Sequence, residues 1–233
     1  MSAPQLPPLF RALAVPGRAD PFDHARALGV AGSDPGVVTY NIDARQLRAA
    51  IIFAPEVSLG QAMAMVPACG VGFQNALGSL APPEVAVHLQ WDGTIRVNAA
   101  RCGRLRVAAS GADPASEPDW LVVGLELALQ HDHEAPGNDP DATALIEEGC
   151  AEVEALPLLE AWVRHTLYWI NRWANEGVAP LQAEWRTLSH ELGKEITLGG
   201  VRGLFVGVDE HFAALVRDDA RTHLIALSTL LEA

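Results

Sequence analysis

Apolar and polar residues alternate over 84–91 (EVAVHLQW), the period of two expected of a half-buried strand. Residues 36–40 and 47–53 read as a further pair of strands, the second ended by Ala54, Pro55 and Glu56. Residues 90–106 read as a hairpin: Trp91, Asp92 and Gly93 supply a turn, Ile95 and Val97 alternate with polar neighbours, and Gly103 interrupts the second strand. A continuous apolar start at 120–129 (WLVVGLELAL) marks a central strand. The spacing changes to three and four at Met63, Val66, Cys69, Phe73 and Leu77, which predicts an amphipathic helix over 58–80, weakened by Pro67, Gly70 and Gly72.

Residues 21–28 predict a short helix, 158–174 a long one that buries Leu158, Trp162, Leu167, Trp169 and Trp173, and 182–192 another with Trp185 and Leu188 inward. An acidic loop from His131 leads to a helix that Asp141 or Thr143 caps. After Gly193 the chain turns to short strands with tight turns, the pattern of a small β-barrel or sheet. The expected fold is α+β: a domain over 1–192 with a mixed sheet and helices on one side, and a small β domain over 193–233.

Charge narrows the partners. A net charge of −13 repels nucleic acid and anionic membrane surfaces, and no apolar run is long enough to span a bilayer. Cys69, Cys102 and Cys150 have no metal-site or disulfide spacing, and the N-terminus lacks the basic head of a secretion signal, so a cytoplasmic location is expected. Of 16 basic residues only Lys194 is a lysine, which bars lysine chemistry unless that residue folds back into the site.

The arginines therefore carry the candidate chemistry. Arg96, Arg101, Arg104 and Arg106, with Arg45 and Arg48 nearby, form either an anion site or a solvated strand face paired to the abundant acids. Cys102 between Arg101 and Gly103 is either an activated nucleophile or a buried core residue. His131, Asp132, His133 and Glu134, with Asp139 and Asp141, are metal-ligand types in what is more often a solvated loop. Gly124 marks a close backbone approach in a central strand.

The order strand pair, helix, strand, W-D-G hairpin, apolar strand, helices and small β domain resembles the biotin protein ligase and lipoate ligase family. The resemblance rests on 91–98 (WDGTIRVN) for the family's W-P-N-D strand, 100–103 (ARCG) for K-x-x-G, 122–128 (VVGLELA) for G-x-G-x-N, and 203–218 for the start of its SH3-like C-terminal barrel. It implies a ligand site with Trp91, Asp92, Gly93, Asn98, Gly103, Arg104 and Gly124, a small carboxylic acid as ligand, and a biotinyl or lipoyl carrier domain as partner. ATP with biotin, lipoate or octanoate follows if the family activity is retained. The adenylating motifs depart from the pattern. Ala100 replaces the lysine, Ala128 the last asparagine, and 39–48 contains none of the glycines of the phosphate-wrapping loop. Weak or absent ligase activity is expected, with Arg101 as the surviving cation and a Cys102 acyl transferase or a non-catalytic interaction module as alternatives. A one-residue bulge at Ala99 and Ala100 would bring Arg101 to the pocket and Cys102 to the core; a straight register would do the reverse.

Overall fold

The computed structural model describes residues 3–131, 139 and 141–232. Seven strands form the main sheet: β1 (Arg11–Ala14), β2 (Val37–Ile42), β3 (Gln46–Phe53), β4 (Val87–Leu89), β5 (Thr94–Val97), β6 (Ala100–Ala109) and β7 (Leu121–Ala128), in spatial order β1-β2-β3-β7-β6-β5-β4. The sheet is mixed because β1 runs parallel to β2 while the other neighbours are antiparallel. β1 is absent from the sequence-based expectation: four residues beside prolines on an edge carry little periodic signal. The strand expected over 84–91 keeps only three ladder residues.

One face carries α2 (Leu59–Ala62), α3 (Met65–Gly78), α4 (Ala155–Glu176) and α5 (Ala179–Leu188). The helix predicted over 58–80 is two helices, and α3 is buried almost all round rather than along one stripe. Gly72 explains the close helix crossing: a Cβ there would lie 2.9 Å from the Thr166 backbone nitrogen on α4. The Trp162 and Trp169 indole N–H groups bind Cys69 O and Asn75 Oδ1 on either side of that point, at 3.0 and 2.8 Å.

The opposite face carries α1 (Pro21–Val30), so helices lie on both sides of the sheet, not one. Asp20 caps α1 by accepting from Phe22 N, Pro21 starts it, and the Thr39 hydroxyl on β2 donates to Pro21 O at 2.8 Å. Phe22 and Ala25 pack on Val37, Ala50, Ile52, Ala108 and Val122 in a second core.

The β8 (Glu195–Leu198), β9 (Val201–Val208), β10 (Ala214–Arg217) and β11 (Thr222–Ile225) strands make a small antiparallel sheet, consistent with an SH3-like domain. Phe205, Phe212 and Val216 from it join the main core. Ahead of α4, residues Leu145–Glu148 form a single 3-10 turn rather than a capped α-helix. Asp141 is drawn away to Arg96 and Arg101, and the Thr143 hydroxyl donates to Glu148.

Candidate anion platform on the sheet

Alternation along the strands sorts the arginines. Leu47, Ala49 and Ile51 of β3, Leu105 and Val107 of β6, and Leu125 and Leu127 of β7 enter the α3 core. Arg48, Arg104, Arg106, Gly124 and Glu126 therefore face the side of α1. In register across the sheet, Asn41 pairs with Arg48, Arg48 with Glu126, and Glu126 with Arg104. This row forms a polar platform that begins where α1 ends its cover.

A bulge adds Arg101. The β5–β6 register steps from Ile95↔Gly103 to Arg96↔Arg101, so Cys102 is the extra residue. Arg101 thereby sits across from Arg96 on one face, bridged by Asp141. The bulge is at Cys102 and not at Ala99 and Ala100. Asn98 and Ala99, with φ of 47° and 76°, form instead a two-residue hairpin turn closed by Val97↔Ala100.

Most of these cations are already matched by carboxylates. Arg96 holds Asp141 through two bonds of 2.8 and 2.9 Å, Arg101 holds Asp139 and Asp141, and Arg104 donates to Glu126 at 2.6 Å. Arg106 is a hub bonded to Asp20 at 2.5 Å, Glu126 at 2.9 Å and Glu232 at 2.6 Å, with its guanidinium 4.1 Å from the Phe22 ring centre. The Arg96 and Arg101 guanidiniums hold the Asp141 carboxyl at about 2, below the usual range. Arg48 differs. Its one hydrogen bond among the described residues runs from Nη2 to Asn41 Oδ1 at 3.0 Å, and its Nε is buried without a partner. Glu126 stands opposite it but spends its oxygens on Arg104 and Arg106.

The turn between β2 and β3 is closed by its own side chain. Asp43 Oδ1 accepts from Arg45 N at 2.8 Å and Gln46 N at 2.9 Å, so these N–H groups are already used. The Arg45 carbonyl accepts from Leu129 N at 2.7 Å.

The other expected site residues scatter. Trp91 lies on the α3 side, away from Gly124 and Arg101: its indole N–H donates to Phe212 O at 2.8 Å, and the space it lines holds only about 20 Å³, room for a water. Asp92 caps its own turn by accepting from Thr94 N at 2.9 Å. Gly93 and Gly103 allow backbone approach, since a Cβ would meet Leu105 O at 2.8 Å and Glu126 O at 2.3 Å; Gly103 does not interrupt β6. At Gly124 the Cβ would meet the Phe22 ring at 2.6 Å, so the close approach is to a side chain of α1. Asn98 donates to Glu148 and accepts from Ala86 N. Lys194 Nζ lies 3.1 Å from His190 Nε2. His131 lies 3.8 Å from Glu147; Asp132, His133 and Glu134 of the metal-ligand run lie outside the described residues. Among the described residues no three His, Cys, Asp or Glu side chains group to hold a metal, and no helix is long and apolar enough to cross a membrane. Asp20, Asn41, Glu126 and Glu232 are site residues that sequence reasoning misses.

The surroundings of Cys102 weigh against the nucleophile alternative. The residue is buried in the α3-side core, and its thiol is pushed up to about 12, first by burial and then by Cys150, Glu148 and Glu147. Iodoacetamide is expected to leave Cys102 unmodified in the native protein over hours and to label it within minutes in denaturant, read by mass spectrometry. Rapid native labelling that octanoate blocks would restore the nucleophile.

A family model described as the biotin/lipoate A/B protein ligase family matches residues 6–187, and a domain of unknown function matches residues 192–233. A biotin protein ligase-like protein of unknown function from Silicibacter sp. TM1040 is 53% identical, with 99% of this chain and 100% of that one covered and a TM-score of 0.95. Biotin protein ligase from Aquifex aeolicus is 15% identical over 93% of this chain and 96% of its own, with a TM-score of 0.75. The Leishmania major ligase in complex with biotinyl-5-AMP is 16% identical over 94% and 99%, with a TM-score of 0.58; these two show likeness of fold alone. The search of curated proteins found no match. With the family model spanning the whole seven-stranded sheet and the helices on both its faces, the chain belongs to the biotin/lipoate A/B protein ligase family.

Proposed function

We propose that the protein binds a small carboxylic acid, or its adenylate, on the platform with Arg48 receiving the anionic group, and that its ligase activity is weak or absent. The observation that carries this is the Arg48 guanidinium, half-buried and, among the described residues, with a single neutral hydrogen-bond partner, while Arg96, Arg101, Arg104 and Arg106 are each held by carboxylates. A ligand carboxylate would complete the charge pairing that Glu126 leaves undone. The start of α1, anchored through Asp20 to Arg106, adds its partial positive charge to the same region.

Adenylate formation asks for more. The β2–β3 turn has its N–H groups capped by Asp43, and Ala100 supplies no cation. Charge preorganised at the reacting phosphate is usually the largest contribution to such a step. The relative with biotinyl-5-AMP bound supports the ligand class through fold alone. On this reading the protein acts in the cytoplasm, and a biotinyl or lipoyl carrier domain is the acceptor of any remaining transfer.

Calorimetry with biotin, lipoate and octanoate, beside pyrophosphate release with ATP, tests this. One acid is expected to bind without pyrophosphate release. Arg48→Ala should weaken it by about 10- to 100-fold, the worth of a charge-assisted hydrogen bond. Arg101→Ala, whose partners are Asp139 and Asp141, should change it less than about threefold. Rapid pyrophosphate release would refute the loss of activity, and binding indifferent to Arg48 would remove the site.

A further inference from the structure

We propose that the cleft between α1 and the far end of β6 is a second carboxylate-binding site, for a monocarboxylic acid with an apolar body, and that Glu232 is the resident carboxylate holding its place. The cleft is an open groove of about 700 Å³ that reaches the Arg106 hub through Glu232, a volume suited to a small organic molecule. Ala27, Val30, Ala109 and Trp120 give it apolar walls; Arg26, Asp23 and Glu232 give it charge. The Arg26 Nε is buried without a hydrogen-bond partner, and its salt bridge to Asp23 is long, at 3.8 Å.

Glu232 already shows how an acid would bind. Its two oxygens meet the Arg106 fork at 2.8 Å from Nε and 2.6 Å from Nη2, the bidentate geometry of a guanidinium–carboxylate pair. The segment reaches Arg106 as a surrogate strand. β5 pairs with β6 only as far as Arg104, and Leu231 then bridges to Val107 while Glu232 N donates to Val107 O at 2.8 Å. The Glu232 side chain is 36% exposed, so water reaches the pair. A free acid can replace this carboxylate without changing the charge on Arg106. It would also lay its chain against Trp120 and Val30, adding apolar burial.

Sodium octanoate is the probe, measured by calorimetry on the full chain. Glu232→Ala is expected to bind it at least tenfold more tightly than the unaltered protein. Adding Val30→Glu, at a site 75% exposed, should abolish that gain, and adding Arg48→Ala should leave it. Equal affinity with and without Glu232, or a gain that Arg48→Ala removes and Val30→Glu spares, overturns the cleft while the platform stands on its own Arg48 result. Absence of octanoate binding in every variant overturns the cleft as well. In the unaltered protein, saturating octanoate should speed hydrogen exchange at the Glu232 amide as the segment lifts from Val107. Bound octanoate with that amide still protected would show that Glu232 holds no ligand's place.

Discussion

Replacing Trp91 with alanine is expected to lower the unfolding free energy by about 3–5 kcal/mol, the range for truncating a buried tryptophan. Trp91 is 4% exposed, and its indole N–H donates to Phe212 O in the connection between β9 and β10. Its backbone N–H donates to Glu191 at 2.9 Å, and the same carboxylate accepts from Gln90. Phe212 in turn meets the edge of Trp185 at a centroid distance of 6.2 Å, and Trp185 meets Phe205 at 6.3 Å. Truncation would open a cavity where the two sheets join and orphan a carbonyl in it. Urea unfolding measures the loss. Acid binding at 10 °C, where the variant stays folded, should change less than threefold, since Trp91 lies on the other side of the sheet from Arg48. A variant that keeps its stability and loses the acid would make Trp91 a pocket residue after all.

The contrast between Trp91 and Gly124 shows what periodicity conveys and what it leaves out. The apolar runs at 47–53 and 120–129 place β3 and β7 without reference to any other part of the chain, and Arg104 and Arg106 share a face by parity alone. Which face a residue occupies after a turn depends on register. The residue after Arg101 is absorbed in a bulge, so Arg101 joins Arg104 and Arg106 although its sequence parity puts it opposite them. Trp91 continues the alternation of Val87 and Leu89 into the α3 core; what the alternation leaves out is that its face lies away from Gly124 and Arg48. Partner choice is less legible still. Arg106 finds Glu126 twenty residues on, Asp20 eighty-six residues back and Glu232 at a separation of 126. The excess of acids in the composition foretells that arginines will be paired; only the three-dimensional arrangement singles out Arg48 as the one on the platform that no carboxylate of the described residues holds.

Arg106→Ala is expected to cost about 2–4 kcal/mol at pH 7, somewhat below the cost of breaking a fully buried ion pair because its partners are partly solvated. The Arg106 side chain is 11% exposed, whereas Asp20, Glu126 and Glu232 are 26%, 27% and 36% exposed. Removing the guanidinium brings three carboxylates together without their shared cation and strips the Phe22 ring of its cover. Arg104 still holds one oxygen of Glu126, which limits the loss. The pH dependence separates charge from packing. In the unaltered protein the hydrogen bonds and charge of Arg106 hold the Glu232 carboxyl below its ordinary value. A depressed folded value stabilises the protein above the unfolded carboxylate pKa, near pH 4.3, and that contribution fades as pH falls through the folded value. In the variant the hold of Arg106 on Glu232 is gone, and that contribution goes with it. The stability gap between the two proteins should therefore be widest at neutral pH and narrow by half or more on titration to pH 4. Urea midpoints across that range measure it. A gap constant from pH 7 to pH 4 would mean that Arg106 acts through its stacking on Phe22 alone, with Glu232 contributing nothing to the hub.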